Sequence, residues 1–271
     1  MQPTRWLHMI TFGTMNNGAE KPMKTHSVFS SKAQKYARYR WKYAPDCIAT
    51  IIKTSGITDR SIVADIGAGT GILTKEFVGK AGRIYAIEPN PEMRAILAKE
   101  LEHFPSCHVI DGCAEATALV DSSVDLVTVA QTIQWFEPSK AKHEIYRILK
   151  PGGWLAICRN YGTDDELERA LSGVYPPETD TEGLMIGRNT PKSFYYCGDE
   201  YIKREFPFSN STNWEVFLGA LATASYAPVE GSDLYAQFEQ KARQVFERFS
   251  SNGMIEQHGM TELYLGQIQC Q

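Results

Sequence analysis

The sequence predicts an α/β fold in which a parallel sheet is covered by helices on both faces. Short apolar runs alternate with helical patterns between residues 61 and 159, and this alternation is typical of parallel strands joined by crossover helices. A glycine-rich loop follows the first apolar run, at the place where open α/β sheets bind ligands. Because such crossovers are nearly always right-handed, the order of the elements fixes most of the topology.

Two helices are predicted ahead of the first strand. Ser30 and Ser31 are good N-capping residues, and we predict a helix from them through Arg40. A second helix is predicted to follow Pro45-Asp46 and to end at Gly56. Strands are then predicted at 61–66, 83–88, 107–110, 124–130 and 153–159, with helices between them at 71–79, 91–102 and 138–149.

The pattern changes after residue 160. The stretch 173–193 carries Gly, Pro and Thr and is predicted to be a long surface loop. A strand is predicted at 201–208, two helices at 211–224 and 232–250, and a last strand at 261–268. The second of these helices has one apolar stripe, which consists of Leu234, Phe238, Ala242, Val245, Phe246 and Phe249.

Composition excludes several classes of protein. The chain has 271 residues and a net charge of −4, so charge gives no reason to expect a nucleic-acid or anionic membrane partner. The six cysteines lack CxxC spacing, and reduced thiols in the cytoplasm are the better interpretation. No apolar run is long enough to span a membrane. Residues 1–28 lack the apolar core of a signal peptide and are predicted to be a flexible tail.

The glycine loop and a later acidic residue predict a nucleoside site. Gly67 and Gly69 let backbone approach a ligand without interference from Cβ, and Gly71 would permit close packing. Glu88 lies 19 residues after Gly69, at the end of the next predicted strand. A carboxylate there can accept hydrogen bonds from both ribose hydroxyls of a nucleoside. The competing interpretation is a structural strand–turn–helix junction that binds nothing.

The glycine spacing and Asp65 favour S-adenosylmethionine over a dinucleotide. The dinucleotide fingerprint is GxGxxG, whereas this loop reads Gly67-x-Gly69-x-Gly71. Asp65 directly before the loop would repel a pyrophosphate. The same carboxylate can instead meet the ammonium group of S-adenosylmethionine, directly or through water. An NAD-dependent oxidoreductase is therefore disfavoured.

Five segments, in order along the chain, resemble motifs of the class I S-adenosylmethionine-dependent methyltransferases. They cover about residues 30–160 and are 63–71 (VADIGAGTG), 85–93 (YAIEPNPEM), 111–115 (DGCAE), 125–136 (DLVTVAQTIQWF) and 147–153 (RILKPGG). The chain resembles in particular the type 11 and trans-aconitate-methyltransferase-like groups, since Tyr226-Ala227-Pro228 is similar to a Ser-Tyr-x-Pro element of the latter.

The resemblance implies a doubly wound, Rossmann-like, seven-stranded sheet that is mostly parallel, with the last strand antiparallel. One domain is expected over 29–271, with a cofactor-binding core at 29–160; residues 161–271 would supply a helical substrate lid and the last two strands. The implied cofactor-binding residues are Tyr36, Arg40, Asp65, Gly67, Ala68, Gly69, Thr70, Gly71, Glu88, Pro89, Met93, Cys113, Ala114, Glu115, Ala130 and Gln131.

Roles within this set follow from the resemblance and from charge. Arg40 would pair with the cofactor carboxylate, and Tyr36 would face the sulfonium. Cys113 stands where relatives often have Asp, so adenine would be held by backbone around Ala114, with Glu115 as a helper. Gln134 stands where the family often has His and cannot replace a base.

The predicted activity is methyl transfer from S-adenosylmethionine to a small molecule, with oxygen, nitrogen and carbon acceptors all open. Such a displacement needs alignment above all, and it needs a base only when the acceptor must lose a proton. The candidate catalytic residues are Tyr36, Gln134 and Trp135, and no metal is expected. The alternatives are an enzyme that uses S-adenosylmethionine for other chemistry and a non-catalytic regulatory module. We expect a monomer or homodimer in the cytoplasm, without a nucleic-acid or membrane partner.

Overall fold

The computed structural model describes residues 30–176, 185–196 and 200–268. Its helices are α1 (Ala33–Tyr39), α2 (Pro45–Ser55), α3 (Pro91–Leu101), α4 (Pro138–Ile148), α5 (Asp165–Ser172), α6 (Trp214–Ala222) and α7 (Asp233–Phe249). Its strands are β1 (Ile62–Ile66), β2 (Arg83–Ile87), β3 (Cys107–Ile110), β4 (Val124–Ala130), β5 (Leu149–Gly162), β6 (Ile202–Thr212) and β7 (Ile255–Gln267). The predicted tail, 1–28, lies outside the described residues.

The strands form one seven-stranded sheet in the order β3-β2-β1-β4-β5-β7-β6. The first five strands are parallel, and β7 runs antiparallel between β5 and β6. Apolar side chains from successive strand positions enter opposite faces, as the strand period of two requires. Val127 packs in the core on the side of α4, whereas Leu126 packs in the core on the side of α2. The doubly wound, mostly parallel fold is therefore confirmed.

Local sequence signals explain most helix boundaries. Proline occupies the first turn of α2, α3 and α4, where its missing N–H leaves no helical hydrogen bond unmade. Asn90 caps α3 by accepting a hydrogen bond from the Met93 N–H at 2.8 Å. Gly56 ends α2 in the left-handed region, with φ of 68°. The predicted helices at 91–102 and 138–149 are thus confirmed to within one residue.

The predicted helix at 71–79 is wrong. Only a 3-10 turn, Thr74–Phe77, forms there. Gly71 and Gly79 both take positive φ, 86° and 73°, which ends regular helix on either side. The Thr74 hydroxyl donates to Asp65, so this short segment is fixed to the end of β1.

The last third differs from the sequence prediction in several places, and β7 begins earlier than predicted, at Ile255. A helix, α5, forms at Asp165–Ser172 just ahead of the predicted loop. Within the predicted loop, Val174 is buried, while 177–184 lie outside the described residues. Strand β6 continues to Thr212, so α6 starts later than predicted, at Trp214. The stripe on α7 contains Tyr235 in place of Leu234, which is 52% exposed.

None of the helices in the described ranges has the length and apolar character that crossing a membrane requires.

Candidate functional site

One large cavity opens at the carboxyl ends of β1, β2 and β4, and its volume is about 1360 Å³. The sequence-predicted residues that line it are Tyr36, Arg40, Asp65, Gly67, Ala68, Gly69, Glu88, Pro89, Met93, Cys113, Ala114, Glu115, Ala130, Gln131 and Trp135. Thr70, Gly71 and Gln134 are predicted site residues that do not line it. The structure therefore brings most of the predicted set together at one place.

The glycine loop is shaped so that side chains are excluded from two positions. Gly67 has φ of 70°, and a Cβ there would lie 2.8 Å from Thr132 Oγ1. Gly69 has φ of 59°, and a Cβ there would point at the Tyr36 ring, 4.0 Å away. A larger side chain at position 69 would fill the space between the loop and Tyr36. That space is a cradle between the loop and Tyr36, and it forms part of the cavity.

Glu88 is held in place by two backbone donors, one in this loop and one at the start of α3. Its side chain lies in the cavity wall, yet the residue is only 7% exposed. Gly69 N–H donates to Oε2 at 2.8 Å, and Asn90 N–H donates to Oε1 at 2.8 Å. Burial is the largest influence and raises the pKa of Glu88, which the two backbone donors oppose. A carboxylate has about four lone-pair positions, so each oxygen can accept one more hydrogen bond, as two ribose hydroxyls require.

Asp65 is a buried carboxylate with polar but uncharged partners. Thr74 Oγ1 donates to it at 2.6 Å and Thr128 Oγ1 at 2.8 Å. In the part of the chain that the structure describes, no cation forms an ion pair with it. Burial is the main cause that raises the pKa of Asp65 to about 6. A cationic ligand group near Asp65 would relieve this energetic penalty.

Helix α1 is anchored over the glycine loop. The Arg40 guanidinium lies 5.4 Å from the Tyr36 ring centroid and donates to Thr223 Oγ1 at 3.1 Å. Ahead of α1, Lys32 is buried and its Nζ donates to the carbonyls of Ala224 and Ala227 at 2.6 and 2.7 Å. Sequence reasoning missed Lys32, because a lysine at the start of a helix ordinarily faces solvent.

The end of β4 contributes the wall opposite α1. Gln131 has φ of 61°, and its carbonyl accepts a hydrogen bond from the Gln134 side chain at 2.9 Å. That bond turns Gln134 onto the backbone and away from the cavity wall. Of the two neighbouring candidates, only Trp135 lines the cavity. Burial raises the pKa of the Cys113 thiol, which therefore stays neutral.

Thr70 and Gly71 belong to the glycine loop but do not line the cavity. Thr70 is 1% exposed, and its hydroxyl has no hydrogen-bond partner among the described residues. A Cβ at Gly71 would lie 2.7 Å from Leu97 Cδ1, so Gly71 permits close packing against α3.

Sequence reasoning also missed a second wall, formed by β5, α5, β6 and β7. Lys203 Nζ lies 2.9 Å from a Glu262 carboxylate oxygen, and Arg159 Nη2 lies 3.4 Å from the other oxygen. Glu168 of α5 lines the same wall. Arg159 and Glu262 face each other only through the antiparallel register of β5 and β7, which no local pattern specifies.

Of the two helices predicted at 211–224 and 232–250, only the first contributes to the cavity. Four residues from the end of α6 and the following loop line the cavity: Ala220, Leu221, Ala224 and Tyr226. No residue of α7 does so. Phe238 and Phe246 of α7 pack with Phe217 of α6 in a separate apolar cluster. Helix α7 therefore packs against α6 outside the cavity.

Part of this chain is similar to known methyltransferases. Residues 64–157 match the family described as a methyltransferase domain. An uncharacterized methyltransferase of Mycobacterium bovis is 38% identical over 138 residues, which cover 51% of this chain and 53% of that protein. The ubiquinone/menaquinone biosynthesis C-methyltransferase of Hydrogenovibrio crunogenus is 34% identical over 155 residues, covering 51% of this chain and 59% of that protein. The chain thus spans about half the length of the curated relatives it matches.

Solved structures extend the likeness over most of the chain. A protein of Anaeromyxobacter dehalogenans that has been assigned to the type II methyltransferases has a TM-score of 0.58 at 19% identity, covering 86% of this chain and all of that one. The YcgJ protein of Bacillus subtilis has a TM-score of 0.56 at 18% identity, covering 84% of this chain and all of that one. At such identities these two structures support the fold alone.

Proposed function

We propose that this chain, which belongs to the class I S-adenosylmethionine-dependent methyltransferases, transfers a methyl group from S-adenosylmethionine to a small-molecule acceptor. The observation that carries the proposal is that one cavity is lined both by the glycine loop and Glu88 and by β5, α5 and the end of α6. Both partners of a transfer reaction can therefore meet in the same space.

The size of the cavity supports room for two molecules. Sites for one drug-sized ligand usually have volumes of about 300–1,000 Å³, whereas this cavity has about 1360 Å³. Its lining draws on both 29–160 and 161–271, which supports one domain with a shared site. A concave space of this kind suits a small acceptor.

The residues present fit S-adenosylmethionine, as the cradle beside Gly69 and the donor-held Glu88 indicate. Glu88 would hold the ribose, and Asp65 would lie toward the ammonium group. Arg40 would pair with the cofactor carboxylate, and the backbone around Ala114 would contact adenine. When bound, the cofactor supplies an activated methyl group on a sulfonium that leaves as a neutral thioether.

The remaining work of the protein is alignment and exclusion of water. Methyl transfer is an in-line displacement, so holding the acceptor atom close to the methyl carbon supplies most of the acceleration. Trp135 and Tyr226 are aromatic residues that line the cavity, and either ring can pack against an acceptor. Helix α1, anchored through Lys32, covers the methionine end.

The proposal is tested by thermal unfolding with S-adenosylhomocysteine. At ten times its Kd, a ligand that binds only the folded chain stabilises it by about 1.4 kcal/mol, which raises Tm by roughly 3–5 °C for a domain of this size. NAD is the matched control and should leave Tm unchanged. A rise with NAD and none with S-adenosylhomocysteine would contradict the proposal.

A second prediction concerns α1. Tyr36→Ala and Arg40→Ala are each expected to weaken S-adenosylmethionine binding by about 1–2 kcal/mol, because a cation–π contact and a charge-assisted hydrogen bond are lost. Calorimetric titration measures the affinity, and circular dichroism checks that the fold is kept. Arg38→Ala is the control on the same helix, since Arg38 forms an exposed ion pair with Glu215. Wild-type affinity and turnover in both test variants would remove α1 from the site.

A further inference from the structure

Glu168 is set directly above a glycine at the end of β5. A Cβ built at Gly162 would lie 1.8 Å from Glu168 Oε1, so the carboxylate takes the place that any side chain at position 162 would need. Both residues line the cavity, and β4 separates β5 from β1, the strand whose end carries the glycine loop. The absence of a side chain at Gly162 thus gives the Glu168 carboxylate its position.

Glu168 differs from the other carboxylates of this wall. Glu262 is paired with Lys203 and Arg159, and Glu205 accepts a hydrogen bond from the Tyr161 hydroxyl at 2.8 Å. Across 30–176, 185–196 and 200–268, no side chain or backbone N–H donates to the Glu168 carboxylate. A partly buried carboxylate without a donor is costly to keep unless a ligand supplies one.

The surroundings of Glu168 keep it available to accept a proton. Burial, and secondly the charge of Asp164 on the same helix, raise the pKa of Glu168. On other elements, the charge of Glu168 acts on Tyr175 and Tyr226, and burial raises the pKa of both tyrosines. Strand β4 separates β5 from β1 and β2 in the sheet, so Gly162 and Glu168 lie across the cavity from the glycine loop and Glu88, on the side left for an acceptor.

We propose that Glu168 is the general base for the transfer, and that the acceptor is therefore a hydroxyl or amine that carries a proton. This inference rests on the proposed function. As the lone pair of the acceptor forms its bond to the methyl carbon, the electron pair of the carbon–sulfur bond goes to sulfur, which becomes neutral. The proton of the acceptor goes to Glu168, so charge and atoms balance.

Sinefungin tests this role without knowledge of the acceptor. In this analogue of S-adenosylmethionine, a carbon with a primary ammonium group replaces the methylated sulfonium, so the ammonium occupies the methyl position. A carboxylate that faces the acceptor space should hold it. We expect wild-type protein to bind sinefungin about tenfold more tightly than S-adenosylhomocysteine, as a charge-assisted hydrogen bond allows. In Glu168→Gln the preference should fall to less than about twofold.

Two further variants distinguish the position of the Glu168 carboxylate from the charge of α5. Gly162→Ala keeps the carboxylate but forces it to move, so it should reduce the preference as Glu168→Gln does. Glu166→Gln is the matched control, because Glu166 lies on the same helix, is exposed and pairs with Arg248. It should keep the wild-type preference.

The outcomes distinguish the two proposals. If S-adenosylhomocysteine does not bind wild-type protein, the proposed function fails, and the role of Glu168 fails with it. If it binds equally well to wild type and Glu168→Gln while the sinefungin preference is absent from wild type or unchanged in the variant, only the role of Glu168 is overturned. Thermal unfolding of each variant checks that the fold is intact.

Discussion

Replacing Glu88 with alanine is expected to weaken the binding of S-adenosylhomocysteine by about 3 kcal/mol, close to 100-fold. The side chain is the acceptor that we propose for both ribose hydroxyls, and a hydrogen bond to a charged group contributes about 1.5–3 kcal/mol. Because the residue is 7% exposed, water cannot fully replace the lost acceptor.

The loss extends beyond the ligand contacts. In Glu88→Ala the N–H groups of Gly69 and Asn90 lose their acceptor, so the loop beside the cofactor is no longer held in one shape. Glu88→Gln keeps the volume but directs an amide NH₂ at one of these two donors. We therefore expect Glu88→Gln to bind S-adenosylhomocysteine almost as weakly as Glu88→Ala.

Calorimetric titration of the two variants measures this effect. Glu100→Gln is a suitable control, since Glu100 is a carboxylate of α3 that forms a surface ion pair with Lys75. It should keep wild-type affinity. Unchanged affinity in Glu88→Ala would show that Glu88 does not contact the ribose, whatever the fold suggests.

The cofactor side of the cavity could be predicted from sequence because its determinants are local. Strands β1 and β2 are adjacent and parallel, and Gly67, Gly69 and Glu88 lie at their carboxyl ends. A glycine loop directly after an apolar run is a local signal that a strand ends there. The order of the strands follows from right-handed crossovers. A pattern that spans about 25 residues was thus enough to predict that Gly67, Gly69 and Glu88 lie together, and all three line one cavity.

The acceptor side could not be predicted because its contacts are distant in the sequence. Arg159 and Glu262 are far apart in the sequence and face each other only through the register of β5 and β7. Glu168 gains its position from Gly162 and from α5, a helix whose eight residues gave no sufficient periodic signal. Tertiary packing determines these contacts. The pairing register of distant strands cannot be derived from a local pattern in one sequence.

The second large effect concerns the dependence of stability on pH. The pKa of Asp65 rises from 3.8 to about 6 on folding, mainly because of burial. Between these values the folded chain holds a proton that the unfolded chain has lost, so the free energy of unfolding falls as pH rises. A difference of about two pKa units corresponds to about 3 kcal/mol, all of it lost at pH 7.

Asp65→Asn should remove this loss. The Asn side chain can keep hydrogen bonds to Thr74 and Thr128, since each hydroxyl can donate or accept. We expect the variant to be more stable than wild type by up to about 3 kcal/mol at pH 7 and nearly equal to it at pH 4. Urea unfolding of both proteins at these two pH values gives the difference in their free energies of unfolding. Other titrating groups affect both proteins equally and therefore cancel in this difference. The same pH dependence in both proteins would contradict the burial argument for Asp65.

The same variant should also bind S-adenosylhomocysteine more weakly, because the ligand ammonium would lose its anionic partner. A buried, ionised carboxylate lowers the stability of the free protein. A cationic group of the ligand would offset this cost on binding. Saturating S-adenosylhomocysteine should therefore stabilise wild type more than Asp65→Asn at pH 7. Equal stabilisation of the two proteins at matched saturation would show that Asp65 is a structural residue, whose hydrogen bonds to Thr74 and Thr128 are its whole role.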